Sequence, residues 1–414
     1  MPMQRAEPVS PSEFAAMMAP LGPFAGDRRM AVAASGGADS MALALLLRDW
    51  GQPFACVVDH GLRPESASEA SLTMRRLAAL GIPARLLRAD LAHGAGLAER
   101  ARAARYALLG VACRDAGLAD LAVGHHLRDQ AETLLLRRAA GSGMAGLSGM
   151  AAVAHTDSMR LIRPLLAVPP VRLRATLLAH GIEWVEDPSN TDPATPRATL
   201  RAGRLSDPAE PPRLGAEARE YGTARAAAEA EAAAQLAASA LIHPCGVAHL
   251  REPVSPDALS ALIWTLSGAA YPPPSAGLRR LSGALHADAA HDGTLHGARI
   301  MPAGRLGPGW LVGREASAMG GAVGLGQRWD GRYRAASDGA GAGASLGPLG
   351  SDAARLRRRS ALPSALLQTL PTLRRNGAIV AVPHLCYPDA AACRSAFVWF
   401  QPVRPIAPAA FVTA

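Results

Sequence analysis

The stretch that most constrains this chain is RRMAVAASGGADSMALALLL, residues 28–47. A short apolar run leads into Ser35-Gly36-Gly37-Ala38-Asp39-Ser40, and a second apolar run begins at once. A strand that turns through glycines into a helix lets the backbone N–H groups of Ser35, Gly36 and Gly37 curl round an anion. The helix that opens near Ala38 aims its positive end at the same place. The pattern therefore predicts a phosphate-binding loop in an α/β sheet. Yet the chain has no lysine: all 43 of its basic residues are arginines. Codon bias accounts for such a replacement without any functional cause. The absence still excludes a Walker-type loop lysine, a Schiff-base lysine and a Ser-x-x-Lys catalytic pair. Asp39 would repel bare phosphate, and it makes sense where a divalent cation neutralises the anion and Asp39 helps to hold it. Ser40 adds a hydroxyl donor.

The first 205 residues alternate strand-like and helix-like stretches. MAVAAS, FACVVDH, ARLLRAD and LAVGHH read as short, nearly continuous apolar strands. Helical patterns at 69–80, 96–116 and 129–139 lie between or after them. This rhythm predicts a parallel, doubly wound sheet covered on both faces, with ligands at the carboxyl ends of its strands. A Pro-rich stretch at 206–215 reads as a break, an alanine-rich helix as its sequel, and 337–350 as a linker. The expected division is a catalytic α/β domain at 1–205, a helical and mixed domain at 206–335 and a small basic α+β module at 336–414.

Further motifs fall at the expected strand ends. VVDHGLRPES places Asp59, His60 and Arg63 beside the first loop; Asp59 alone would be an ordinary helix cap. AERARAARYALL sets Arg102 and Arg105 three residues apart on one helix face, by default a solvated charged face. In LAVGHHLRDQAETLLLRRAAGSGMAGL, His125, Asp129 and Glu132 share a helix face, and His126 neighbours Asp129. Carboxylates one turn apart at a strand end suit a hard cation, hence Mg²⁺ held by Asp39, Asp129 and Glu132; a polar outer helix face is the rival explanation. No third nitrogen or sulfur ligand at zinc spacing is evident. Gly141 to Gly146 match G-x-G-x-x-G, but a helix precedes them where a dinucleotide site needs a strand, so that reading is rejected.

The S-G-G-x-D-S string in its strand–loop–helix setting resembles the PP-loop, or N-type ATP pyrophosphatase, superfamily. D-H-G-L-R-x-x-S, A-R-x-x-R-Y, H-H-x-x-D-Q-x-E-T and E-D-P-S-N followed by R-x-x-x-R narrow that resemblance to the tRNA(Ile)-lysidine synthases. One departure is Ala198, where the family usually has asparagine after the arginine corresponding to Arg197. The resemblance implies ATP and Mg²⁺ as cofactors, and as partners a CAU-anticodon isoleucine tRNA and free lysine. ATP binding would fall to Ser35–Ser40 with Asp59, His60 and Arg63. Catalysis would fall to Asp39, Arg105, His126, Asp129 and Glu132, and substrate contacts to Gly141, Gly143, Asp187, Asn190, Arg197 and Arg201. A tRNA-thiolating or amidating PP-loop enzyme, or a non-catalytic nucleotide- or RNA-binding protein, is the alternative.

The remaining composition agrees with a nucleic-acid partner. A formal net charge of +9 suits a polyanion, and the arginine run at 355–359 is a candidate grip on a phosphate backbone, or simply a basic surface. No apolar run approaches the ~20 residues of a membrane span, so no membrane role is expected. Five scattered cysteines without a C-x-x-C pair fit reduced thiols in a cytoplasmic protein.

Overall fold

The computed structural model describes residues 6–61, 64–89, 94, 96–186, 196–287, 292–336, 343–395 and 397–413. The chain forms two compact units. Met1–Ala226 and Phe411–Ala414 make the first, and Ala227–Ala410 the second.

In the first unit the apolar runs become β1 (Arg29–Ala33), β2 (Gln52–Asp59), β3 (Ala84–Arg88), β4 (Asp120–Ala122), β5 (Val153–His155) and β6 (Arg160–Ile162). They lie in the order β3-β2-β1-β4-β6-β5, parallel throughout except where β5 meets β6. The helices are α1 (Pro11–Met18), α2 (Ala38–Trp50), α3 (Ser66–Ala79), α4 (Leu97–Asp115), α5 (Leu127–Ala139), α6 (Met144–Leu147), α7 (Pro170–Ala179) and α8 (Pro196–Ala202), and α9 (Glu210–Ser239) begins in this unit and ends in the second. Alternation along the strands explains the double winding. Met30, Val32, Ala55 and Val57 point into a core shared with α2 and α7. Ala31, Cys56, Leu121 and Val123 point the other way, into a core shared with α4. The α/β sheet anticipated from the sequence is thus present.

β1 sits between β2 and β4, so the order reverses there and a crevice opens beyond their carboxyl ends. Gly36 in that crevice has φ +85°, a left-handed conformation, and a Cβ on it would lie 2.2 Å from Thr73 Oγ1 on α3. Only glycine fits.

Two readings of the chain after residue 205 need revision. Pro211 and Pro212 do not break the chain; they sit in the first turn of α9, where a missing N–H costs nothing. The expected boundary near 205 accordingly lies inside the first unit. Residues 411–413 also belong to it. The Ala152 N–H donates to Val412 O at 2.8 Å, and Arg225 lies over the Phe411 ring at 4.5 Å.

The second unit holds β7 (Ala240–His243), β8 (Val247–Leu250), β9 (Gly293–Leu295), β10 (Ala298–Pro302) and β11 (Trp310–Arg314), an antiparallel sheet ordered β7-β8-β11-β10-β9. Helices α10 (Pro256–Ser267) and α11 (Ser275–His286) cover its apolar face. A further sheet orders β12 (Val323–Gly324), β14 (Ala344–Pro348), β15 (Pro371–Arg375) and β16 (Ala378–Ala381), while β13 (Tyr333–Ala335) pairs with β17 (Val398–Phe400). Part of the expected linker, 337–342, lies outside the described residues, and the rest contributes β14. No helix among the described residues is long and apolar enough to cross a membrane.

The Gly36→Ala variant is expected to lose ~1–3 kcal/mol of stability from the left-handed backbone and the Thr73 clash. Thermal unfolding should show a Tm several degrees lower, with nucleotide binding lost in calorimetry.

Candidate functional site

The Ser35–Ser40 loop is tied from within. Ser35 N–H donates to Ser40 Oγ at 3.1 Å, and Ser40 Oγ–H donates to Gly37 O at 3.0 Å. Gly37 caps α2 without a side-chain acceptor, so the first N–H groups of α2 are left to an anion. From β4, Gly124 closes in: a Cβ there would stand 3.0 Å from the Asp39 carbonyl oxygen. Val185 N–H donates to Gly36 O at 2.8 Å from a third direction.

These segments enclose a cavity of about 420 Å³. Ser35, Gly37, Ala38, Asp39 and Ser40 form one wall, and Arg102, Arg105 and Tyr106 of α4 another. Cys56, Val58, Leu109 and Val123 supply an apolar floor, and His125, Glu69, Arg174 and Glu186 are among the other lining residues. Burial pushes the Cys56 thiol up to about 11, so it serves as apolar wall and not as a thiolate nucleophile.

The site residues expected from sequence fall into three groups. Loop residues 35–40, Arg105 and His125 meet at the cavity or its edge. Arg105 Nε donates to His60 Nε2 at 3.1 Å, which places the His60 proton on Nδ1. Burial and the Arg105 charge hold His60 below its ordinary value, against the pull of Asp59, so it is neutral. Asp59 itself accepts from Gly61 N–H at 2.9 Å and Ser66 Oγ at 2.8 Å, capping the turn behind the wall. Those bonds, the Gly61 one foremost, hold its carboxyl below the usual range.

The second group is a charge chain behind Asp39. His126 lies between two carboxylates, with Nε2 3.4 Å from Asp39 Oδ2 and Nδ1 3.5 Å from Asp129 Oδ2. Burial alone would depress His126, but Asp39, Asp129 and Glu132 together outweigh it and raise its pKa. Asp129 also accepts from the His126 backbone N–H at 3.0 Å, closing the first turn of α5. Glu132 is fully buried and engages Arg201 Nε at 2.6 Å, with Arg197 Nε at 3.8 Å. Both arginines come from α8, where Ala198 is buried. Asp39, Asp129 and Glu132 therefore do not gather round one point, and no cluster of three or more His, Cys, Asp or Glu able to hold a metal is found among the described residues. Asp39 alone of the three lines the cavity.

The third group stands apart. Gly141 ends α5 at φ +67° and Gly143 caps α6; neither lines the cavity. A reciprocal pair of bonds between Gln130 and Met150 fixes the loop that carries them. Arg63, Asp187 and Asn190 lie outside the described residues. Sequence reasoning missed Gly124, Glu69, Arg174 and Glu186. Glu186 was recoverable as the first residue of E-D-P-S-N, and Gly124 as the glycine at a strand end; Arg174 carries no local signal.

Glu132→Gln is expected to leave Arg201 beside a neutral amide and to cost ~3 kcal/mol, read as a lowered urea midpoint. His125 gives a pH signature. Burial foremost, with Arg163, Arg102 and Arg197 adding to it against Asp129, holds its pKa at about 4, against 6.5 for the free side chain. Between those values the unfolded chain binds more protons, so stability rises with pH and is lost as pH falls from 6.5 toward 4, by up to ~3 kcal/mol. Urea unfolding at several pH values should show that slope, flattened in His125→Gln.

A family model described as a PP-loop domain matches residues 7–205. A tRNA(Ile)-lysidine synthase of Ruegeria pomeroyi is 34% identical over 377 residues, covering 86% of this chain and 88% of that protein. One from Rhizobium meliloti is 35% identical over 346 residues, covering 76% and 75%. One from Bradyrhizobium sp. (strain BTAi1) is 43% identical over 240 residues, covering 56% and 65%. Against the relatives with the strongest matches, the chain spans about half to two thirds of their length. With a loop, a charge chain and relatives of this kind, the chain belongs to the tRNA(Ile)-lysidine synthase family of PP-loop proteins.

Proposed function

We propose that this protein adenylates the wobble cytidine of a CAU-anticodon isoleucine tRNA and then joins lysine to it, making lysidine. The observation that carries the reading is the cavity itself. It combines an anion-cradling loop without a lysine, an arginine wall and an apolar floor. In the first step the cytidine O2 bonds to the α-phosphorus of ATP, the Pα–O–Pβ bond breaks, and pyrophosphate leaves with the electron pair. In the second, an amine of lysine bonds to C2, the C2–O bond breaks, and AMP departs.

The N–H groups of the Ser35–Ser40 loop hold the phosphates and favour charge developing on the leaving pyrophosphate. Arg105, held by His60, stabilises charge at the α-phosphate. His126, biased toward its charged form by its carboxylate neighbours, holds the Asp39 carboxylate in place. The apolar floor of Cys56, Val58, Leu109 and Val123 excludes water beside a flat ring. Asp39 would hold a Mg²⁺ brought in with the nucleotide, a single carboxylate sufficing when phosphates share the ion, and the ion would offset phosphate charge. Asp129 and Glu132 then act behind the site, orienting His126 and anchoring α8. A cytidine lifted out of an anticodon loop suits recognition of single-stranded RNA by stacking and edge contacts. Such a substrate places the reaction in the cytoplasm, in keeping with five free cysteines.

The test is AMP release and radiolabelled lysine incorporation with minor isoleucine tRNA. Lysine entering the tRNA only when ATP is present is the expected result. ATP turnover without lysine incorporation would point instead to another PP-loop reaction, and no turnover to a binding protein. Asp39→Asn is expected to lower the rate at least 100-fold while the Tm stays within a few degrees.

A further inference from the structure

The loop faces a highly charged leaving group with no lysine of its own, and Asp39 adds a negative charge beside it. We propose that Arg174 grips the pyrophosphate, with Glu186 as its resting partner; this rests on the reading that ATP is cleaved between its α- and β-phosphates.

Among the described residues lining the cavity, the guanidinium groups are Arg102, Arg105 and Arg174. The first two stand on α4 and are already placed: Arg102 lies 5.0 Å over the Tyr106 ring, and Arg105 donates to His60. The core of α4 lies on one face of the sheet, that of α7 on the other. Arg174 is thus the cation offered from the α2 side, the side of the loop's own helix. Arg197 and Arg201 do not line the cavity and answer to Glu132.

The neighbourhood of Arg174 is built against the glycines. Val185 N–H bonds Gly36 O, and a Cβ on Gly37 would come 3.8 Å from Val185 O. The next residue, Glu186, accepts from Trp184 Nε1 at 2.7 Å, and the same Oε1 lies 3.9 Å from Arg174 Nη2. Rotation of α7 is fixed by Arg172, which holds the Glu13 carboxylate at 2.6 and 2.7 Å. Two residues on, a helix has turned by about 200°, so Arg174 faces away from that clamp. The Arg174–Glu186 pair is long and solvent-exposed on both sides (56% and 72%), hence weak and salt-screened. A guanidinium exchanges such a contact readily for a phosphate that it can bind with two parallel N–H bonds. Glu186 would then release Arg174 when pyrophosphate is present and recapture it on departure.

The experiment is calorimetric titration of the full chain with magnesium pyrophosphate and, separately, with AMP. Arg174→Ala is expected to weaken pyrophosphate at least tenfold and to leave AMP within twofold. Arg174→Lys should recover part of the loss, because a point charge lacks the fork. Glu186→Gln should tighten pyrophosphate severalfold by removing the competing carboxylate. Pyrophosphate affinity within twofold of the parent in Arg174→Ala, or equal weakening of pyrophosphate and AMP, would overturn the assignment. Neither tRNA nor lysine enters this test, so its failure leaves the lysidine reading standing.

Discussion

The approach of Gly124 to the backbone of Asp39 is the contact on which the site depends. It joins the carboxyl ends of β1 and β4, the two strands where the sheet reverses its order. A side chain at 124 would push the strand ends apart by several tenths of an ångström. The cavity would then lose the alignment between its loop wall and its histidine edge. The same closeness lets His126, two residues past Gly124, reach Asp39. A backbone contact thus sets the spacing of an electrostatic one, and the low tolerance of packed interiors keeps it fixed.

Charge in the first unit is arranged in depth. At the cavity, Asp39 is open to a cation, and His126 behind it is biased toward its charged form. Deeper still, Glu132 gives up all contact with water and holds α8 through Arg201. A buried ion pair of this sort adds little net stability over apolar packing, yet leaving one partner alone is costly. Its effect is specificity of position: the arginine-bearing helix has one seat. His125 takes the opposite course, neutral beside three guanidinium groups. Adjacent histidines are therefore biased in opposite directions: burial, helped by the arginines, keeps His125 neutral against Asp129, while the carboxylates round His126 outweigh its burial.

Much of this was legible in the sequence. The β1–loop–α2 unit could be read because apolar period, glycines and helix start all agreed, and β2 and β4 followed from continuous apolar runs, while β3, at the sheet's edge, is buried only at Leu87. The carboxylates of α5 were legible as a shared face, but their partners were not. Nothing local says that Glu132 meets an arginine 69 residues later, so a metal set was the natural reading of three acids. Arg174 was hidden for the same reason, since its setting comes from packing of α7. The prolines at 211 and 212 misled because proline ends a helix in its interior yet starts one at its first turn.

Residues 411–413 bear on how the molecule is made. Their carbonyl and ring complete the first unit beside Ala152 and Arg225, although 184 residues of the second unit come between. The first unit is therefore discontinuous in sequence. Its Ala152–Val412 hydrogen bond and the Arg225–Phe411 contact can form only after the second unit has been synthesised.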